Sequence, residues 1–399
     1  MKTEFRKKSG WTFFALATAV ALTVTDAHAV PVYDVTYLRP PAGASSISAT
    51  SINDSRQVTG YSSQYGGGVH AFITAPITDV FNSDLYASDP FHQSTNLFYR
   101  GVIDLGTLGG ASSQAWEINN NGQVVGTSNP AGPPATHAFV NDVTTNALID
   151  ISTSGANGFG GINDSGQVTG TVSSTGANNS RATRSITYYP TATATAINNN
   201  GQMTGQVSMI GTGRNHAFIW DPLTGMTDIG VLDTYTHSVN RSSNGRAINS
   251  QGQVVGNSEI RVYDPGTLRV RVHQQAFLWD STNGMIDLGW VWLGSPRNTF
   301  ATDINDHGQI VGYAETLGGI KGFLWENGVM YDLNDLINVN FPFPTNINGY
   351  DAGINNNGDI VIGNTLLVRQ HSNSVPEPAP IALLGLGLLG FGVMRKRRG

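Results

Sequence analysis

Cysteine is absent from this sequence of 399 residues. Disulfide bonds, thiolate metal sites and a cysteine nucleophile are therefore excluded. Lysine is nearly absent as well, because Lys321 is the single lysine between residues 30 and 374. That stretch holds 14 basic and 25 acidic residues, a net charge of −11. A surface of this sign argues against nucleic acid or an anionic membrane as its partner.

Helical periodicity and familiar catalytic patterns are missing too. Apolar residues occur in short, strand-sized runs rather than at helical intervals, among many Gly, Asn, Ser and Thr residues. No G-x-S-x-G, H-E-x-x-H or P-loop pattern occurs in the chain. We therefore expect an all-β protein that is not an enzyme, with no catalytic residues, no metal and no cofactor.

The sequence instead repeats one stretch, INNNGQVVG at Ile118–Gly126, in seven variants. The variants start at Ile52, Ile118, Ile162, Ile197, Ile248, Ile304 and Ile354. Their spacings of 66, 44, 35, 51, 56 and 50 residues indicate repeats in which each unit buries its apolar face on its neighbours. Each variant predicts a tight hairpin, because Asn-Gly pairs such as Asn121–Gly122 and Asn200–Gly201 tolerate positive φ.

A second pair of predicted strands follows most of the hairpins. Its first strand is a HAF-like segment that begins at His70, His137, His216, Gln275 or Lys321. Its second strand is an IDLG-like segment that begins at Val102, Ala147, Met226, Met285 or Met330. Four short strands in roughly 50 residues match a propeller blade, so we predict about seven four-stranded blades. The third unit is degenerate near Arg181–Tyr189, which leaves a six-bladed ring open.

The two ends of the repeat region complement each other. The seventh unit has a hairpin at Ala352–Gly363 and a strand-like segment at Thr365–Gln370, but no fourth strand. The segment Val32–Leu38 is a spare strand that precedes the first hairpin. Pairing the two would close a ring and leave no open edge. This complementarity favours a propeller over a linear solenoid.

Residues 1–29 have the features of a secretory signal peptide. Lys2, Arg6, Lys7 and Lys8 precede the apolar run Trp11–Val24. Ala27 and Ala29 then form a small-x-small cleavage site, so the mature chain is expected to begin near Val30. We predict an N-terminal signal helix at residues 1–29, the propeller at 30–374, and a sorting and anchor segment at 375–399.

The C-terminal segment combines three features in a fixed order. Pro376, Glu377 and Pro378 lead into the apolar run Ile381–Met394, and Arg395, Lys396, Arg397 and Arg398 follow. The run predicts a short transmembrane helix with its basic end on the cytoplasmic side. The tail resembles the PEP-CTERM sorting signal. That resemblance implies a Gram-negative secreted protein that passes through the inner membrane, is recognised by an exosortase, and reaches the cell surface or an exopolysaccharide matrix.

The repeats resemble the HAF family of extracellular repeats. The resemblance rests on the HAF triplets at His70, His137 and His216 together with the hairpin stretches. It covers most of the mature chain and implies no catalytic residues. The histidines suggest a metal ring, but Gln275 and Lys321 stand at the same place in later units, so a hydrogen-bonding role is favoured. The repeated Asp104, Asp228, Asp287 and Asp332 predict turn or cap hydrogen bonds, and turn chemistry also explains the Asn/Asp loops better than calcium does.

Four aromatic residues are the candidates for ligand binding. Trp290 and Trp292 replace the small residues found at this place in the first unit, and exposed tryptophans there would stack on a sugar ring. Phe91 and Tyr99 lie in the longest insertion, Thr74–Gly101, which either binds a ligand or packs its own aromatics against the blade. Three hypotheses follow: a non-enzymatic matrix protein, a carbohydrate-binding propeller, and a propeller glycosidase or lyase. The third needs non-repeated carboxylates that converge on the central channel.

Overall fold

The computed structural model describes residues 30–78, 98–99, 101–132, 136–152, 159–173, 191–232, 241–264, 269–290, 298–338 and 347–370. Within this part of the chain the protein is all β, apart from one 3-10 turn at Leu333–Leu336. No helix among these residues is long and apolar enough to cross a membrane. The predicted signal helix and the predicted tail helix, with the cleavage site and the sorting motif, lie outside the described residues.

Antiparallel strands build the sheets from the first hairpin onwards. After β1 (Tyr33–Leu38), blade 1 consists of β2 (Ala44–Ile52), β3 (Val58–Gln64), β4 (Val69–Thr74) and β6 (Val102–Gly106), while the short β5 (Phe98–Tyr99) lies between the last two in the chain. Blade 2 consists of β7 (Gly109–Ile118), β8 (Val124–Pro130), β9 (His137–Asn141) and β10 (Leu148–Asp150). The third repeat supplies only the lone hairpin, β11 (Phe159–Ile162) and β12 (Val168–Ser173).

The remaining repeats give four further blades. Blade 3 consists of β13 (Thr191–Ile197), β14 (Met203–Met209), β15 (Arg214–Asp221) and β16 (Gly225–Gly230). Blade 4 consists of β17 (Ser243–Ile248), β18 (Val254–Asp264), β19 (Arg269–Asp280) and β20 (Gly284–Asp287). Blade 5 consists of β21 (Asn298–Ile304), β22 (Ile310–Thr316), β23 (Gly319–Glu326) and β24 (Val329–Asp332). Blade 6 is formed by β25 (Ala352–Ile354), β26 (Ile360–Ile362), β27 (Thr365–Arg369) and β1.

The propeller therefore has six four-stranded blades, and the prediction of about seven is not supported. The difference lies in the third repeat, whose β12 pairs with β13 of blade 3, as Thr171 opposite Thr193 shows. This pairing joins the lone hairpin to blade 3 in one six-stranded sheet. The predicted second pair of this repeat, near Arg181–Tyr189, lies outside the described residues.

The N-terminal strand closes the ring as predicted. β1 runs antiparallel to β27, with Val35 opposite Leu367, and so becomes the fourth strand of blade 6. On its other side β1 pairs in parallel with β5. Val35 and Leu367 are both fully buried. First and last segments of the repeat region thus share one sheet, and the edge of β27 is covered.

The seven hairpins surround a common axis even though only six blades are complete. The asparagine that follows each repeated isoleucine donates from its side-chain amide to the backbone carbonyl of the equivalent asparagine in the next repeat. The chain of donors runs Asn53, Asn119, Asn163, Asn198, Asn249, Asn305 and Asn355, which returns to Asn53. The lone hairpin therefore holds its own place in this closed asparagine ring.

Each hairpin turn is organised by the same asparagine. In the second repeat the Asn119 Oδ1 atom accepts from the backbone N–H groups of Asn121 and Gln123, at 3.1 and 2.9 Å. Gly122 has a positive φ of 77°, whereas the described non-glycine residues with positive φ are Arg56, Asn146 and Asn327. The predicted hairpin is confirmed, but the expectation of positive φ at both residues of Asn121–Gly122 is wrong. The Asn119 side chain selects a longer turn in which glycine alone needs the left-handed region.

The core lies between neighbouring blades. The phenylalanine of each HAF-like segment is fully buried, as in Phe72, Phe139, Phe218, Phe277 and Phe323. Its ring packs over the last glycine of the hairpin stretch, so that a Cβ on Gly126 would stand 2.8 Å from Phe139 and 2.0 Å from the Gln114 carbonyl oxygen. The repeat keeps glycine there because two strands and a ring meet at that point.

Candidate binding site at the mouth of the central channel

The first strands of the hairpins line a cavity of about 220 Å³ on the axis of the propeller. A second cavity of about 150 Å³ lies on the side of the hairpin turns, where the asparagine ring is. Glu117 and Asp303 border both cavities. The two side chains therefore stand in the middle of the channel, and every ligand that enters from the first cavity meets them. We call the open end of the larger cavity the wide mouth.

A β-bulge determines which side chains reach the wide mouth. In five blades the inner hairpin carries one extra residue just before the repeated isoleucine, at Thr50, Trp116, Thr195, Arg246 or Thr302. Bulges re-aim side chains and are frequent beside functional sites. Here the extra residue lines the cavity in all five cases.

Threonine at the bulge has a structural function. The Thr50, Thr195 and Thr302 hydroxyls donate to backbone carbonyls of the following repeats, at Ala115, Gly245 and Ala352, over 3.1, 2.7 and 2.8 Å. These bonds tie neighbouring hairpins together around the axis. Trp116 and Arg246 replace threonine at this place and make no such bond in the described part of the chain. Both are exposed, with 37% of the Trp116 surface open.

The position next to the bulge carries the two acids of the channel. It is occupied in turn by Ser51, Glu117, Gly161, Ala196, Ala247, Asp303 and Gly353. The carboxylate of Asp303 accepts from the backbone N–H groups of Ile304 and Ile354, at 2.8 and 2.9 Å. Burial nevertheless raises the pKa of Asp303 to about 7, an effect that these two hydrogen bonds only partly offset.

Glu117 is less well satisfied than Asp303. Within the described residues its carboxylate has no hydrogen-bond or ion-pair partner, and an added Cβ on Gly161 would stand 3.2 Å from its Oε2 atom. Burial raises the pKa of Glu117 well above its usual range, and the negative charge of Asp303 raises it further. The two acids thus disfavour each other's ionised form across the channel.

The rim of the wide mouth adds one charge of each sign. Arg246 and Asp351 both line the cavity. Burial raises the pKa of Asp351, and the guanidinium of Arg246 partly offsets this rise. Tyr350 is next to Asp351 and is 61% exposed, and its ring packs edge-on against Tyr313 at a centroid distance of 5.4 Å. The rim therefore offers aromatic surface and polar groups together, as small-molecule sites do.

At the turn side of the channel the polar groups satisfy one another. The side chains that follow the ring asparagines form hydrogen bonds from repeat to repeat: the amide of Asn120 donates to Asp54 and Asp164, and that of Asn356 donates to Asp54 and Asp306. No group of three or more His, Asp or Glu side chains in the described part of the chain is arranged to hold a metal ion. This end reads as structural.

The repeated histidines and aspartates form pairs at the outer strands, as predicted. His70, His137 and His216 contact Asp104, Asp150 and Asp228 through Nδ1, at 2.9, 2.6 and 2.9 Å. Gln275 and Lys321 contact Asp287 and Asp332 in the same way, at 2.7 Å each. The aspartates also accept backbone N–H groups two residues on, for example Gly106 at 2.7 Å for Asp104. The pairs therefore fasten outer strands.

The predicted ligand-binding aromatics do not meet in one site. Trp290 is 40% exposed, and its indole N–H donates to the Gln275 side chain on blade 4. It is not among the residues that line the channel. Only the backbone of Tyr99 is described, in β5, while Phe91 and Trp292 lie outside the described residues.

Sequence reasoning missed the residues of the wide mouth. A signal for them was present, because the two positions before each repeated isoleucine vary while the stretch that follows hardly changes. Glu117, Asp303, Trp116 and Arg246 are the large or charged exceptions among mostly small residues. Aligning the repeats and asking where they differ, rather than where they agree, would have found them.

The comparisons with known proteins concern two parts of the chain. Residues 374–398 match the PEP-CTERM protein-sorting motif. The chain carries this sorting signal. The motif implies a secreted protein of a Gram-negative cell envelope and is consistent with processing by an exosortase. Residues 111–289 match a protein family of unknown function, DUF3466. The resemblance to HAF repeats stays a prediction.

No curated protein matches the chain. Among solved structures it is similar to TolB from Acinetobacter baumannii, at 11% identity and a TM-score of 0.34, over 83% of this chain and 65% of that one. An extracellular domain of a one component system from B. thetaiotaomicron follows, at 12% and 0.41, over 86% and 40%. An ulvan lyase of polysaccharide lyase family PL25 gives 10% and 0.27, over 71% and 68%. The chain thus spans less than two thirds of the first two structures, and at these TM-scores the likenesses carry no argument about function.

Proposed function

We propose that this protein is a non-enzymatic propeller of the extracellular matrix that holds exopolysaccharide at the wide mouth of its channel. The observation that carries the proposal is the replacement of the bulge threonine by Trp116 and Arg246. Both replacements give up a hydrogen bond between blades and place an aromatic ring and a guanidinium on the rim. An exposed indole beside Arg246 and Asp351 suits a sugar, which has an apolar face and a polar edge.

The sorting tail supports the extracellular part of the proposal, because it directs the protein to the envelope where exopolysaccharide is made. We expect a chain that lacks residues 375–399 to shift from the cell and matrix fractions to the medium or periplasm. Immunoblots of the three fractions from cells with either form measure this. An unchanged distribution would separate the tail from matrix association.

Binding is tested by sedimentation of the mature secreted protein with exopolysaccharide purified from the producing cells. The protein should pellet with the polymer in a saturable manner and stay in the supernatant without it. Competition by monosaccharides at millimolar concentration would identify the sugar unit that is recognised. Failure to pellet at any polymer concentration would contradict matrix binding.

A second candidate is a propeller glycosidase or lyase. The observation that favours it is the convergence of Glu117 and Asp303, two non-repeated carboxyl groups, in the channel. Glycosidases use two carboxyl groups, one of which is kept protonated by its surroundings. Incubation with the exopolysaccharide decides between the two functions: new reducing ends or unsaturated products that are lost in Glu117→Gln would establish an enzyme, and intact polymer would leave a binding protein.

A further inference from the structure

The centre of the channel contains negative charge that the described residues do not neutralise. The guanidinium of Arg246, the cation nearest the site, lies at the rim with Asp351. The titratable and charged groups that line the larger cavity are Glu117, Asp303, Asp351 and Arg246. Counted together, three carboxyl groups face one guanidinium, and the two deep carboxyl groups have no cation between them.

Glu117 indicates that something else belongs in this position. A carboxylate enclosed by protein and without a partner is costly, and repeats with Ser51, Ala196 or Ala247 in its place show that the fold does not need it. Its side chain borders both cavities, so it faces the channel axis rather than the core. The unpaired acid, the cavity in front of it and the indole of Trp116 at the rim form one continuous surface.

We propose that the channel binds an amino sugar unit of a polysaccharide, with its ammonium group between Glu117 and Asp303 and its ring against Trp116. This rests on the proposed function and names the sugar class that the wide mouth selects. The ammonium supplies the missing positive charge and three N–H donors, which suit two acceptors on opposite walls. A uronic acid in the same place would add a fourth negative charge, and the site therefore discriminates against it.

Titration calorimetry of the mature secreted protein with glucosamine oligomers and N-acetylglucosamine oligomers of equal length tests this. Acetylation removes the charge but keeps the ring, so the free amine should bind at least about tenfold more tightly near neutral pH. The preference should shrink when the pH falls to about 5, because Glu117 and Asp303 then hold protons and no longer attract a cation. EDTA should change nothing.

Three variants make the test specific. Glu117→Gln keeps the shape of the side chain and should abolish the preference for the amine. Asp335→Asn removes an exposed carboxylate outside the channel and should preserve the preference. Trp116→Ala should weaken both oligomers by a similar factor. Thermal melting of each variant checks that it is folded.

The outcomes separate this inference from the function on which it rests. Equal affinity for the two oligomers, an amine preference that survives in Glu117→Gln, or binding that EDTA abolishes would each overturn the amino sugar site. So would the absence of binding to either oligomer. In all four cases sedimentation with the native exopolysaccharide still judges matrix binding independently.

Discussion

Arg56 and Asp359 form an ion pair across the seam of the propeller, with 2.8 Å between Nε and Oδ2. Each residue departs from the repeat. Arg56 stands where other hairpins have glycine and keeps a positive φ of 58°, and Asp359 stands where they have glutamine, as at Gln123. The side chain of Asp359 is fully buried. Two exceptions in the first and last repeats thus meet in one contact and mark which hairpins close the ring.

A double-mutant cycle measures this contact. Arg56→Gly should lower the free energy of unfolding by about 2–4 kcal/mol, because it leaves a buried carboxylate without its cation. The double variant with Asp359→Gln restores the pattern of the other repeats and should recover at least about 1 kcal/mol of that loss. Urea denaturation gives the four values. Strictly additive effects would show that the pair does not couple.

Breaking one link of the asparagine ring should be costly. The Asn119 side chain donates two hydrogen bonds and accepts two, all between 2.8 and 3.1 Å. Asn119→Ala should therefore reduce stability by about 2–4 kcal/mol. Asn121→Ala, which removes one exposed hydrogen bond to Asp164, is the matched control and should cost less than about 1 kcal/mol. Similar losses in both variants would deny the ring a special role.

Gly201 tests the backbone of the hairpin turn without steric complications. Its φ is +76°, and an added Cβ would meet nothing closer than 3.6 Å. Gly201→Val should destabilise the protein by about 1–3 kcal/mol, because a β-branched residue resists this conformation. Gly201→Asn should cost clearly less, since asparagine tolerates positive φ. Equal melting temperatures for valine, asparagine and the parent protein would mean that the turn is not constrained.

Cysteines placed on β1 and β27 test the closure directly, because the chain has no other cysteine. Val35 lies opposite Leu367, and Cα atoms of facing antiparallel residues are within disulfide range. The pair Val35→Cys and Leu367→Cys should cross-link in the folded protein. The pair Val35→Cys and Leu366→Cys should not, because neighbouring side chains point to opposite faces. A reversed result would change the register, and no cross-link in either would open the ring.

The pKa of Glu117 leads to a prediction for stability. Because this pKa is raised in the folded state, the native protein holds a proton that the unfolded chain has lost above about pH 4.3. Stability therefore falls as pH rises from there towards the folded pKa. Glu117→Gln removes this loss, so it should stabilise the protein by about 1–2 kcal/mol at pH 8 and have little effect at pH 4. Parallel unfolding curves measured across this range, with a gain independent of pH, would contradict the assignment.

Much of the fold follows from local rules, while the site does not. The hairpins were predictable because turn chemistry at Asn119 and Gly122 is encoded within a few residues. The pairing of β1 with β27 was predictable from a strand missing at one end and spare at the other. The blade count was not, because the pairing of Thr171 with Thr193 joins two repeats that the sequence presents as separate. Glu117 and Asp303 escaped because distant repeats bring them together around an axis that no local pattern reveals.

The central claim is that the wide mouth, and not the outer face of blade 4, binds polysaccharide. Trp116 and Trp290 are similarly exposed, at 37% and 40%, so their alanine variants form a matched pair. Sedimentation of each variant with the native exopolysaccharide is the most direct measurement. Trp116→Ala should weaken binding at least about tenfold, and Trp290→Ala should bind like the parent protein. Loss of binding in Trp290→Ala with full binding in Trp116→Ala would contradict the account.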